Sequence, residues 1–169
     1  MNDEPIFKSG YENNVPEPRE VEPPAAQIRR LLTSEPYGVL CTQGEGQPYG
    51  SLVAFAFSDD LRSAYFATPV ATRKYRLLTE SDRVALLVDN RSRHVDDMMQ
   101  VEAVTATGRA VVVERGPGFE HGSHLLLSRH PYLEPFVESR SCALVRIDIV
   151  RFFLVSRFQE VSQWVPTER

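Results

Sequence analysis

Cysteine is scarce: the 169 residues hold only Cys41 and Cys142, far apart in the chain. That excludes a disulfide framework and a cysteine-rich metal centre. Both sit inside apolar, strand-like runs, so they read as buried, reduced thiols, and a cytoplasmic location is expected. An excess of positive charge is also missing. Lysine and arginine number 19 against 23 acids, a net charge of −4, which leaves no general electrostatic grip on nucleic acid and favours a small anion bound locally. No run approaches the roughly 20 apolar residues of a membrane span, and the first residues are polar, so neither a membrane partner nor export is expected. There is no Gly-x-Ser-x-Gly, no phosphate-binding P-loop, no dinucleotide fingerprint and no Cys/His pair at catalytic spacing. No catalytic acid or base can therefore be assigned.

What is present is organised around residues 65–78, Tyr-Phe-Ala-Thr-Pro-Val-Ala-Thr-Arg-Lys-Tyr-Arg-Leu-Leu. The first part has the alternation of a strand and the last part the residue types of a helix. Thr68, Pro69 and Thr72 lie between, so a hydroxyl can cap the helix start. A helix N-terminus leaves N–H groups unpaired and carries about half a positive charge, and Arg73 and Lys74 add two cations there. A phosphate would offset the repulsion. A capped surface helix with solvated basic residues is the plainer reading of this stretch alone.

In order, residues 1–24 hold five prolines and no apolar periodicity, an extended arm. Residues 25–34 place Ile28, Leu31 and Leu32 at helical spacing, and Glu35-Pro36 stops that helix. Residues 37–42 and 48–57 read as strands around the turn at Gly44-Glu45-Gly46. In the second, Leu52, Ala54 and Ala56 share one face and Val53, Phe55 and Phe57 the other, so both faces need cover. Further strands are expected at 63–67, 84–88 and 104–113, with a loop or short helix over 89–100. Residues 123–129 and 132–137 read as short helices separated at His130-Pro131. From Cys142 the apolar positions are odd-numbered (Ala143, Val145, Ile147, Ile149), and from Phe152 even-numbered (Phe152, Leu154). That switch near Val150-Arg151 requires a bulge or a break. A last strand or tail covers 158–165. The whole closes most economically as a small antiparallel β-barrel with flanking helices.

The order helix at Ile28–Leu32, strand, Gln47-Pro48-Tyr49-Gly50-Ser51-Leu52-Val53, strand, Ala67-Thr68, Thr72-Arg73-Lys74, then Arg83-Val84-Ala85-Leu86-Leu87 resembles the pyridoxamine 5'-phosphate oxidase-like, FMN-binding split-barrel family. Gly-Arg-Ala at 108–110 followed by Leu-Ser-Arg-His-Pro-Tyr at 127–132 is similar to its haem-utilisation branch. The resemblance implies a mainly β fold, a six-stranded antiparallel split β-barrel with flanking helices over residues 25–169. It also implies a homodimer with FMN at the subunit interface. Ser51, Leu52 and Val53 would line the isoalloxazine ring, Thr68 would sit beside the ribityl chain or phosphate, and Thr72, Arg73 and Lys74 would hold the phosphate. Ala103 departs from the family, whose oxidases carry glutamine there, and the arginine-rich substrate motif of the true pyridoxamine phosphate oxidases is absent.

Other candidates are thin. His121 and His124 beside Glu120 could ligate a metal or haem only from a regular helix, which Gly118 and Gly122 oppose. His130 reads as a turn residue, with an axial haem role left open by the branch resemblance. Two functions stay open: an FMN-dependent oxidoreductase acting on a small or planar substrate, or a non-catalytic protein of the same fold that holds FMN, haem or a deazaflavin.

Overall fold

The structure is a computed structural model that describes residues 22–158 and 160–166. The arm expected over residues 1–24 lies outside the described residues except for its last three positions, and Pro24 already opens the first helix.

Helix α1 (Pro24–Ser34) buries Ile28, Leu31 and Leu32, as the spacing predicts. Each such side chain contributes roughly 1.5–3 kcal/mol by burial. Polar contacts fix the helix in place. Arg30 binds Glu102 through two hydrogen bonds of 3.0 and 2.9 Å. At its C-terminal end, Arg129 donates to the carbonyls of Thr33 and Glu35, and Arg93 donates to that of Ser34, so arginines satisfy the orphan carbonyls.

The strands are β1 (Tyr37–Gly44), β2 (Gln47–Ala54), β3 (Ala56–Phe57), β4 (Ser63–Pro69), β5 (Arg83–Asp89), β6 (Ala103–Val113), β7 (Cys142–Ser156) and β8 (Glu160–Trp164). All pairings are antiparallel, in the order β2-β1-β5-β6-β7-β4-β3, with β8 also on β7. This is the expected split-barrel fold, with eight strands in place of six. Part of the difference comes from Phe55, where the run over 48–57 breaks into β2 and β3. Val53 and Phe55 are buried on one face and Ala56 on the other, so both faces of the run are covered as its composition requires. The freed carbonyl of Phe55 pairs with the His130 ring at 3.0 Å, answering the need of a buried acceptor for a donor. β8 is the other addition.

β7 pairs with β6 along its length, with β4 through its first half and with β8 through its second. The parity switch is a bulge: Thr107 faces Arg151 and Gly108 faces Ile149, leaving Val150 over. Both halves of β7 thereby direct Val145, Ile147, Phe152 and Leu154 into one core, together with Leu40, Phe55, Phe66 and Leu86. A second core (Ala56, Tyr65, Phe119, Leu126, Val137, Leu144) lies on the opposite face of β3, β4 and β7, covered by α3 (Pro117–Arg129) and α4 (Glu134–Glu138).

Helix α3 is a correction to the sequence reading, since it runs unbroken through Gly118 and Gly122. Gly122 is there for close packing: a Cβ on it would stand 2.5 Å from the Tyr65 ring. The helix expected over 132–137 begins as a 3-10 turn at Pro131–Leu133 and becomes α4. Residues 89–100 contain two 3-10 turns, Arg91–Arg93 and Met98–Gln100. Cys142 is buried as expected, whereas Cys41 is half-buried; both are free thiols. Among the described residues no helix is long and apolar enough to cross a membrane.

A Cβ on Gly108 would stand 2.4 Å from the Asp148 carbonyl oxygen across the bulge, whereas one on Gly50 would meet nothing closer than Val39 at 3.4 Å. Gly108→Ala is expected to cost about 1–3 kcal/mol through overpacking, and Gly50→Ala to change stability little. Urea denaturation of both variants checks the contrast, and equal stability of the two would show that the bulge tolerates a side chain.

Candidate functional site

Strand β4 ends at Pro69 and α2 (Arg73–Glu80) begins after Thr72. Thr72 is the N-cap: its hydroxyl accepts from the Tyr75 N–H at 3.2 Å and donates to the Pro69 carbonyl at 2.8 Å. Since that uses its proton, the contact of 3.0 Å to Thr68 has the Thr68 hydroxyl donating. Thr68 is buried. Both hydroxyls therefore build the cap, and the donors left at the helix start are the backbone N–H groups of the first turn and the two cations.

Among the described residues neither Arg73 nor Lys74 has an acidic partner. The Arg73 guanidinium lies 5.2 Å from the centre of the Tyr49 ring, a cation–π contact. The Lys74 ammonium is half-buried and donates to the Leu52 carbonyl at 3.4 Å. Burial pushes its pKa below the ordinary lysine value, because the charged form is the one that loses solvation. An open groove of about 630 Å³ follows the outer side of α2, lined by residues from Val70 to Thr79 that include Thr72, Arg73 and Arg76.

The contact of Lys74 with Leu52, and of Arg73 with Tyr49, joins α2 to β2. The structure thus brings Ser51, Leu52, Thr68, Thr72, Arg73 and Lys74 into one region. Val53 differs: its side chain is in the barrel core, so only its backbone can meet a ligand. Leu52 is 68% exposed, and no described element covers it. Among the described residues the Ser51 hydroxyl is buried without a hydrogen-bond partner, and such an orphan normally has a reason to exist. A half-buried cation, a guanidinium without an acidic partner among the described residues and the first-turn N–H groups form a donor set that fits a phosphate, and the exposed Leu52 beside them offers an apolar surface to a planar ring.

A model of the pyridoxamine 5'-phosphate oxidase family matches residues 24–164. The chain belongs to that family. Among solved structures, it is similar to a haem-binding protein from Mycobacterium smegmatis, at 19% identity with a TM-score of 0.76 over 86% of this chain and 60% of the other. Campylobacter jejuni ChuZ is 11% identical, with a TM-score of 0.71 over 82% of this chain and 58% of that one. An FAD-binding protein from Mesorhizobium loti is 20% identical, with a TM-score of 0.62 over 77% of this chain and 92% of that one. This chain therefore spans about 60% of the length of the first two. At these identities the likeness shows the fold alone. A search of curated proteins finds no match.

The sequence reading missed an aromatic cluster. His130, taken as a turn residue, is only 2% exposed. Its Nε2 meets the Phe55 carbonyl at 3.0 Å, and its Nδ1 meets the Tyr132 hydroxyl at 3.4 Å. Tyr132 in turn lies 3.1 Å from the Tyr37 hydroxyl, and the Tyr37 ring stacks on the imidazole. No local signal marks these contacts, which join residues up to 95 positions apart. His121 and His124 are exposed on α3, and the described residues contain no group of three possible metal ligands.

Burial is the first cause, and the Arg129 charge a further one, that lowers the His130 pKa, against the opposing hydrogen bond to Phe55. The imidazole is thus neutral in the folded state where an unfolded histidine, of pKa 6.5, takes up a proton. Between the lowered folded value and 6.5 the unfolded chain binds more protons, so stability falls as the pH drops through that window. His130→Gln keeps a donor for Phe55 and removes the titration. Thermal melts between pH 5 and 7 are expected to show a shallower pH dependence in the variant, and identical slopes would mean that His130 is not the group responsible.

Proposed function

We propose that the protein is an FMN-dependent oxidoreductase acting on a small or planar substrate, working as a cytoplasmic homodimer. The observation that carries this is the start of α2, where, among the described residues, Arg73 and the half-buried Lys74 face no acid and adjoin the exposed Leu52 and the Ser51 hydroxyl, which has no hydrogen-bond partner there. Arg73, Lys74 and the first-turn N–H groups would hold the phosphate. Thr72 and Thr68 would shape that turn. Leu52, with the β2 backbone at Ser51 and Val53, would bear the ring. Bound there, the flavin would supply hydride or electron transfer, so that the chain itself needs to bind, orient and exclude water.

A second reading, a non-catalytic protein holding flavin, haem or a deazaflavin, is favoured by one finding: solved structures of this fold include a haem-binding protein. The visible spectrum of the purified protein separates the two, a flavin band supporting FMN and a Soret band supporting haem.

The dimer is argued from the sheet. Paired positions Leu52, Val39, Leu87, Thr105 and Phe153 run across five strands. They alternate with the core-facing Val53, Leu40, Leu86, Val104 and Phe152, so they point to the opposite face. In β4 and the first half of β7 that face is covered by α3 and α4; here no described helix covers it. An apolar surface of that extent suits a two-fold partner that repeats it. Leu87→Glu places a charge in its centre and is expected to shift sedimentation from dimer towards the chain mass of 19.2 kDa; a wild-type monomer at micromolar concentration would end this reading.

Phosphate recognition is tested directly. Removing a charge-assisted hydrogen bond costs about 1.5–3 kcal/mol, roughly 10- to 150-fold in dissociation constant. Arg73→Ala and Lys74→Ala should each weaken FMN by that order, whereas riboflavin, which lacks the phosphate, should bind wild type weakly and barely respond. Flavin fluorescence titration measures both. Folded variants that bind FMN as tightly as wild type would reduce α2 to a capped surface helix.

A further inference from the structure

The face of β2 that turns Val53 into the core also carries Ser51 and Tyr49, because the pairing with β1 runs without a shift from Ala54 to Gln47 and side chains alternate along a strand. Tyr49 is half-buried there, opposite the buried Thr42. The Arg73 guanidinium lies over its ring at 5.2 Å from the centre, inside the ~6 Å reach of a cation–π attraction. Among the described residues the Arg73 side chain has no other partner.

The chemistry of this anchor differs from the usual one. A carboxylate in the place of Tyr49 would hold the guanidinium by charge-assisted hydrogen bonds, but it would cancel the charge and occupy donors that an anion needs. A ring holds it and leaves the full charge. Lys74 is held in a matching way, since its ammonium donates to the carbonyl of Leu52, three residues further along the same strand. β2 thus restrains both cations with uncharged groups. Restraint matters because an arginine carries several rotatable bonds, and a site that has to order them on binding loses affinity.

We propose that Tyr49 is a positioning residue of the anion site at the start of α2, which preorganises Arg73 for an incoming phosphate without neutralising it. The proposal rests on the phosphate site argued above. It acts through Arg73 alone and gives Tyr49 no contact with the ligand.

The test is a fluorescence titration of the full chain with FMN and with riboflavin. Tyr49→Leu should weaken FMN by roughly 2- to 5-fold, the worth of an exposed cation–π contact, and leave riboflavin unchanged. Tyr49→Phe keeps the ring and should bind FMN as wild type does. In an Arg73→Ala background Tyr49→Leu should cost nothing further, because the two residues act as one unit. A merely structural Tyr49 would weaken FMN and riboflavin alike, with or without Arg73. Nuclear Overhauser contacts between the Tyr49 ring and the Arg73 side chain, expected in the wild type with FMN absent, test the geometry without any variant.

The proposal is overturned if those contacts are missing, if folded Tyr49→Leu binds FMN as tightly as wild type while Arg73→Ala does not, if it weakens riboflavin as much as FMN, or if its cost persists without Arg73. Arg73→Ala that binds FMN as tightly as wild type would instead strike the phosphate site itself, and the role of Tyr49 with it.

Discussion

The fold depends on one irregularity, the extra residue Val150 in β7. A strand of 15 residues spans about 50 Å at 3.3 Å per residue, too long for a single flat face of a small barrel. The bulge bends it, and it also resets which side chains face inward. Without it, the strict alternation that buries Val145 and Ile147 would carry Phe153 and Val155 into the core and expel Phe152 and Leu154. The partner strand accommodates the bend by having no side chain at Gly108, where the Asp148 carbonyl approaches most closely.

The placement of the candidate site follows from that strand. β4 hangs from the first half of β7, and its end delivers Thr68, Pro69 and the start of α2. β2 sits at the far end of the other arm, reached through β6, β5 and β1. Only because the sheet curls do these distant ends meet, where Lys74 reaches the Leu52 carbonyl. The same curl leaves the outer face of β1, β5 and β6 without a described helix on it, while α3 and α4 cover that of β4.

Local physics was legible in the sequence, and long-range compensation was not. Alternation exposed the bulge because parity is a property of consecutive residues. The strand-to-helix cap was readable because Thr72 and Tyr75 are neighbours on one turn. Helix α3 was misread because Gly118 and Gly122 weaken a helix by propensity, and only the Tyr65 ring, far away in sequence, shows why one of them is required. The break at Phe55 carries no glycine, proline or polar residue. It exists because His130, 75 positions later, supplies the donor that a neighbouring strand would otherwise provide. Of the candidate site, residue identities could be expected from the resemblance, but not that Val53 points inward or that the two threonines use their protons within the cap.

The electrostatics at the start of α2 run against the chain's own stability. A lysine in a helix's first turn opposes the helix dipole, and half-burying it forfeits hydration that a single 3.4 Å carbonyl contact only partly replaces. Arg73 meets an aromatic ring in place of a carboxylate. The net charge is negative, so acids are available, yet among the described residues none pairs with these cations, although a single one would relieve the conflict. An acid would also neutralise the region for any incoming anion. Local rules broken together at one place, with no compensation among the described residues, are the pattern that binding sites leave. Among the described residues the unsatisfied Ser51 hydroxyl and the exposed Leu52 lie on the adjoining strand, at the same place.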